Sequence, residues 1–206
     1  MAPVKFTYFN IAALGEPVRM ALALSGVEWT DVRVEFADWP PMKEDTPYKQ
    51  LPIMEVDGKI IPQSNALLRY AGKMGDLYPT CPVEAALADA AVEAVMDIHR
   101  PMRESIVGKD EEKKMEMRKE LAETLIPAWE TNVQKMLEQA GGKYFAGDKL
   151  SIGDVAIVAR LNWIKDGSLD GIPTTIVDDF PLLSSLIERV MAEPKIVAYL
   201  ESKPKK

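Results

Sequence analysis

The chain has 206 residues, with 25 Lys plus Arg against 32 Asp plus Glu and a formal net charge of -7. Hydrophobic residues make up 47% and charged residues 28%, which supplies a proper core and excludes general disorder. The acidic balance argues against a nucleic-acid binder, which needs a basic face to neutralise phosphates.

A single cysteine, Cys81, excludes an internal disulfide, a Cys-x-x-Cys redox pair and a Cys-rich zinc site. A single histidine, His99, leaves no His cluster for a metal. No charged-then-apolar leader opens the chain. Apolar runs such as Met20 to Leu24 are far shorter than a membrane span. A cytoplasmic protein with no metal and no membrane partner is therefore expected. Lys203-Pro204-Lys205-Lys206 reads as a solvated tail.

The first third alternates strands and helices. Val4 to Phe9 is a strand of apolar and β-forming residues. Glu16 to Ser25 places Val18, Met20, Ala21, Leu22 and Leu24 at helical spacing, and Gly26 stops it. Trp29 to Val34 alternates as a second strand. Pro40, Pro41 and Pro47 mark an irregular stretch. Ile53 to Val56 and Lys59 to Ile61 flank Asp57-Gly58, a hairpin with a two-residue turn. Ser64 then precedes Ala66, Leu67, Leu68 and Ala71 as the N-cap of a short helix.

Asp76 to Pro82 has the composition of a linker, and almost no strand signal lies beyond it. Val83 to about Ile106 reads as a helix kinked at Pro101. Asp110 to about Ala140 is helical, interrupted at Pro127 and ended by Gly141-Gly142. The charge run Lys109 to Lys114 reads as its solvated start. Ser151-Ile152-Gly153-Asp154 is a capping box ahead of the apolar run Val155 to Ile164. Pro181 opens a further helix that ends by Pro194. The expected fold is α+β/α in two domains. A thioredoxin-like βαβ-ββα domain covers residues 1–76, a linker 77–83, and an all-helical domain 84–206.

Three places can carry chemistry. Leu51-Pro52-Ile53 stands directly before the hairpin, where a thioredoxin-like fold puts a cis-proline. Leu51 would then offer its backbone N–H and C=O to an extended peptide. Pro52 by itself reads as an ordinary turn proline. Gln63-Ser64 opens a helix, whose free N–H groups and dipole favour an anion. By itself Ser64 is a plain N-cap. Tyr8 ends the first strand at the ligand side of the fold, with no cysteine after it, so any sulfur chemistry must use a sulfur from the ligand. A tyrosine O–H aimed at that sulfur would stabilise the thiolate, the nucleophilic form. By itself Tyr8 is a half-buried strand aromatic.

Taken in order, Phe6-Thr7-Tyr8-Phe9-Asn10, Ala37-Asp38-Trp39-Pro40, Leu51 to Gly58 and Gln63-Ser64 closely resemble the cytosolic glutathione S-transferases, most of all the sigma class. Tyr144 to Asp154 resembles that family's capping-box motif, and the likeness runs over essentially the whole chain. The resemblance implies a homodimer that takes glutathione as co-substrate, needs no cofactor, and joins it to an apolar electrophile. It implies Tyr8 as the catalytic group. It places Trp39 and Lys43 at the glycine end, Leu51 beside cis-Pro52 on the cysteinyl unit, and Gln63 and Ser64 on the γ-glutamyl group. Asp97 would reach the γ-glutamyl amine across the dimer. The electrophile would lie near Phe9, Ala13, Leu14, His99, Met102 and Ile106. His99 has the right pKa range for acid–base work, but reads more simply as a packing residue. Met102 by its helical spacing does too.

One position departs from the sigma pattern, which carries an arginine where this chain has Leu14. A cation about 5 Å from a thiolate at an effective dielectric of 20 contributes about 3 kcal/mol, or about two pK units. Its loss leaves the bound thiol less acidic unless another group compensates. Arg19, by spacing, points to another face and reads as structural. Two alternatives therefore stand beside the transferase: a non-catalytic, crystallin-like binding protein, and a glutathione-dependent isomerase or peroxidase. A dithiol oxidoreductase is disfavoured by the missing cysteines.

Overall fold

The computed structural model describes residues 3–107 and 110–203. It divides into two compact units. Residues 3–78 and 193–203 form the first, and residues 79–192 the second.

The first unit is built on a four-stranded sheet in the order β2-β1-β3-β4, with β1 at Val4–Phe9, β2 at Trp29–Val34, β3 at Ile53–Val56 and β4 at Lys59–Pro62. β1 runs parallel to β2 and antiparallel to β3, and β3 and β4 are antiparallel. The parallel pair needs a crossover, supplied by helix α1 at Glu16–Ser25. Gly26, with φ 72°, ends that helix in the left-handed region. β1 is central, and Val4, Phe6, Thr7 and Tyr8 on it are all buried. The Asp57-Gly58 turn has φ of 49° and 72°, the positive pair that a two-residue hairpin of the expected type requires. The proline-rich stretch condenses into one short helical turn, α2, at Trp39–Met42, followed by two 3₁₀ turns.

Helix α3 spans Ser64–Met74. Its N-cap is Gln63, and Ser64 is the first helical residue with no capping hydrogen bond, contrary to the sequence expectation. A Gln backbone at φ 76° lets the chain turn sharply out of β4, so the helix begins one residue earlier than a Ser64 cap would have it.

The second unit is helical throughout its named elements: α4 (Pro82–Glu104), α5 (Glu111–Glu120), α6 (Ile126–Gln139), α7 (Ile152–Lys165) and α8 (Pro181–Met191). Pro101 lies inside α4. The break expected at Pro127 is a five-residue π-helical turn, Leu121–Leu125, that leads into α6. The wider turn accommodates a proline that has no N–H to give and a ring in the way of the preceding carbonyl. Asp110 caps α5 by accepting from the Lys113 amide at 2.8 Å. Lys109 lies outside the described residues. Lys114 pairs with Glu111 and Asp170, so the charge run there is partly tied down. Both halves of the capping box at Ser151 and Asp154 form, and Asp154 also accepts from the Phe145 amide at 2.9 Å.

The last helix, α9 at Pro194–Ser202, departs from expectation twice. Pro194 opens a helix rather than only ending one, because a first-turn proline costs no hydrogen bond. The helix then belongs to the first unit, whereas the sequence placed it with the helical half. Lys203 is not solvated tail either, since its ammonium pairs with the buried Glu16. Pro204 to Lys206 lie outside the described residues. Among the described residues, no helix is long and apolar enough to cross a membrane, and no group of three His, Cys, Asp or Glu is placed to hold a metal.

One polar group in the helical unit opposes its surroundings. Glu130 on α6 is wholly buried, and neither carboxyl oxygen has a hydrogen-bond partner among the described residues. Burial pushes its pKa up to about 8, with the charge of Asp179 adding to the rise. The unfolded chain therefore releases this proton at lower pH than the folded one. Stability is lost as pH climbs from the unfolded value toward 8, with a slope of at most about 1.4 kcal/mol per pH unit. Glu130→Gln, which keeps the shape of the protonated acid, should match the parent in urea at pH 4 and exceed it by about 1–3 kcal/mol at pH 8. A parallel pH profile for the two proteins would remove this account.

Candidate functional site

Tyr8 sits one residue before the end of β1 and is 5% exposed. Its ring packs against Gly15. A Cβ added there would fall 2.2 Å from the ring Cδ1. The residue before α1 is glycine because any side chain would occupy the seat of the tyrosine ring.

The connection from β1 to α1 is fastened by Arg19, which is fully buried. Its Nη1 donates to the Ile11 carbonyl at 2.8 Å and Nη2 to the Phe9 carbonyl at 3.1 Å. Nε donates to the Asp31 carboxylate at 3.0 Å. The guanidinium carbon is 5.8 Å from the Tyr8 ring centroid and 5.4 Å from that of Phe6. Spacing alone turned Arg19 away from the site. The fold instead brings it under the tyrosine, because β1 and α1 both pack on the same interior. Its charge is shared with Asp31, which also pairs with Arg33 at 2.8 Å.

Around the strand end an aromatic cluster forms. Phe9 is edge-on to Tyr8 at 5.5 Å and to Trp39 at 5.6 Å, and it stacks on Phe36 at 4.8 Å. Trp39 is half-buried at the start of α2, and Lys43 is exposed four residues later.

A cleft in the first unit gathers Leu14, Tyr48, Leu51, Pro52, Gln63 and Ser64. The Leu51–Pro52 peptide bond is cis. Gln63 at positive φ delivers the start of α3 to this cleft, and the first-turn amides of a helix have no intrahelical acceptors. The cleft thus offers the positive end of a helix, one hydroxyl and one amide side chain, suited to a carboxylate. Tyr48 and Lys49 also hold positive φ, at 55° and 52°. The lysine takes a conformation that glycine adopts more cheaply, a departure that nothing in the sequence pattern signalled.

The second-unit residues named from the sequence stand differently. Asp97 is exposed on α4. Ile106 is 48% exposed just beyond it. Met102 is wholly buried and His99 6% exposed, so neither offers a surface to a bound molecule. The Arg160 guanidinium on α7 lies 3.0 Å from the His99 Nδ1 and 4.0 Å from the Met102 sulfur. Burial and then the neighbouring arginine charges, Arg160 and Arg103, hold His99 down to about 3. It is neutral at physiological pH.

Two family models match this chain: the glutathione S-transferase N-terminal domain over residues 4–73 and the glutathione S-transferase C-terminal domain over residues 96–203. The chain belongs to the glutathione S-transferase family. It is 31% identical over 211 residues to glutathione S-transferase 1 of Ascaris suum, covering 100% of this chain and 98% of that protein. It is 32% identical over 207 residues to the hematopoietic prostaglandin D synthase of Gallus gallus, covering 100% and 98%. The solved structure of prostaglandin synthase D of Nilaparvata lugens matches with a TM-score of 0.90 at 32% identity, covering 99% of this chain and 100% of that one. The fold is that of the family: a thioredoxin-like domain with a four-stranded sheet and a helical domain.

The contact between Gly15 and Tyr8 is directly testable. Gly15→Ala should destabilise the protein by about 1–3 kcal/mol in urea unfolding, the cost of overpacking a filled site. It should also change the environment of the Tyr8 ring, read as the difference in near-ultraviolet absorbance between each protein and its Tyr8→Phe partner. An unshifted tyrosine signal would separate the two residues.

Proposed function

We propose that this glutathione S-transferase ionises the thiol of glutathione beside Tyr8 and directs the thiolate at an electrophilic carbon of an apolar compound. The observation that carries this reading is a single cleft holding the Leu51–Pro52 cis bond together with Gln63, Ser64 and the start of α3. Leu14 lines the same cleft and is joined through Gly15 to the seat of Tyr8.

In this reading, Leu51 pairs its backbone with the cysteinyl unit of the tripeptide. Gln63, Ser64 and the first-turn amides of α3 hold the γ-glutamyl end. Trp39 and Lys43 receive the glycine end, with the lysine ammonium on the carboxylate. The Tyr8 hydroxyl donates to the sulfur and favours its anion. An unperturbed thiol, with pKa about 8.5, is only a few per cent ionised at neutral pH. The proton passes to solvent, the sulfur forms a bond to carbon, and the leaving group departs with the electron pair. Phe9, Ala13 and Leu14 form the apolar wall on the electrophile side. No bound cofactor enters these steps. A homodimer of sigma-class type, with Asp97 reaching the neighbouring subunit's glutathione, completes the proposal.

A second reading has its own support, because two of the relatives above carry the name of prostaglandin D synthase. The same thiolate would then open a cyclic endoperoxide and be returned unchanged. Product analysis with an aryl halide and with a prostaglandin endoperoxide separates conjugation from isomerisation.

Tyr8→Phe should bind glutathione within a few fold of the parent yet lose about tenfold or more in kcat, with the ultraviolet thiolate band moving to higher pH. Equal turnover between pH 6 and 8 would remove Tyr8 from the mechanism. Leu14→Arg places a cation on the cleft wall, so the bound thiol should ionise about one to two pH units lower. An unchanged titration would mean that a group at this position does not reach the sulfur.

A further inference from the structure

Helix α9 returns from the far end of the chain to lie against α1, and its polar contacts fall at both ends of that helix. Lys195 donates to the Leu24 carbonyl at 2.8 Å, in the last turn of α1. At the other end the Tyr199 hydroxyl sits 3.2 Å from both carboxylate oxygens of Glu16, and the Lys203 ammonium pairs with the same carboxylate. Lys195 and Lys203 are separated by the same number of residues as Leu24 and Glu16, about 12 Å of helix in each case at 1.5 Å per residue. The two helices therefore run antiparallel in matched register, and Lys195 of α9 and Lys203 just beyond it both find partners on α1.

Polar contacts converge at the Glu16 end. A cleft of about 500 Å³ lined by Trp29, Asp31, Arg33, Tyr199, Ser202 and Lys203 opens beside it. The rings of Trp29 and Tyr199 stand 6.4 Å apart. Glu16 is 7% exposed, and a carboxylate this buried is expensive without donors. Tyr199 and Lys203 supply them. Burial, with the charge of Glu16 second, keeps the Tyr199 phenol far above its ordinary pKa, so it stays a donor at any working pH.

Glu16 is the first residue of α1, and its neighbour Gly15 is the surface on which Tyr8 rests. The amides of Gly15 and Glu16 both donate to the Ala12 carbonyl, at 3.0 and 2.9 Å. Whatever fixes Glu16 fixes this turn.

We propose that α9 is a strap: Tyr199 and Lys203 clamp Glu16, hold the first turn of α1 in place, and thereby keep Gly15 against the ring of Tyr8. Glu16, Tyr199 and Lys203 are positioning residues for the tyrosine, and none of them touches the reacting sulfur. Their catalytic consequence rests on the reading of Tyr8 given above, whereas the mechanical strap does not.

The test uses the full chain with Tyr199→Phe, which removes one hydroxyl, and with the pair Tyr199→Phe and Lys203→Met. Hydrogen exchange at the amides of Gly15, Glu16 and Arg19 should quicken about tenfold in the pair, while amides of α7 keep their rates. The kcat for aryl halide conjugation should fall about three- to tenfold, with KM for glutathione within about twofold and the thiolate titration moved to higher pH. Lys203→Arg in place of Lys203→Met should restore most of the loss. Unchanged exchange at the α1 amides would overturn the strap whatever the kinetics. Faster exchange with an unmoved thiolate titration would overturn the link to Tyr8, provided Tyr8→Phe itself moves that titration. Should Tyr8→Phe move nothing, the catalytic assignment of Tyr8 falls and with it the link, and the exchange rates decide the strap alone.

Discussion

The first unit depends on one buried guanidinium. Arg19 ties together two carbonyls of the β1–α1 connection and a carboxylate on β2. Five N–H donors spread over a rigid fork suit this task, whereas a lysine has three donors on a single atom. The cation is costly to bury, so removing any of its partners leaves a desolvated charge inside the protein. The strand, the helix and the loop between them are for that reason one object, and the ring of Tyr8 is seated on it. Asp31 in turn is held by Arg33, which reaches back to Asn10 in the same loop. The loop meets the cleft at Leu14.

This arrangement shapes how acidity at the site can be set. Arg19 is near the Tyr8 ring but committed to Asp31, so its field at the strand end is that of a compensated pair. Leu14 adds no charge. In the proposed mechanism the remaining polar assistance to the sulfur comes from the phenol. Under the proposed mechanism, an apolar residue at the cleft wall in place of a cation trades thiol acidity for affinity toward apolar partners.

The helical unit spends its polar groups differently. Asp154, Ser151 and the Phe145 amide close a complete hydrogen-bonded turn at the start of α7. Arg160 and His99 meet between α4 and α7 with the imidazole neutral. Glu130 has no hydrogen-bond donor among the described residues, and it avoids the cost of a buried charge by keeping its proton. Satisfied networks make this unit a firm scaffold, with one pH-sensitive defect.

Local chemistry was legible in the sequence. β1, α1, β2 and β3 start and stop where alternation, helical spacing, Gly26 and the Asp57-Gly58 pair say they must, because each signal acts within a few residues. The capping box at Ser151 and the candidate cleft residues Leu51, Pro52, Gln63 and Ser64 could be named the same way. Tertiary structure decided what depends on contacts across the chain. It buried His99 and Met102 against Arg160, and it set Arg19 beneath Tyr8. It also carried α9 back to Glu16, more than 180 residues away in sequence. Periodicity shows that a residue has an inward face, but not what meets it there. That is fixed only when distant segments close on one another, and the energy of a buried charge depends on the partners that closure supplies.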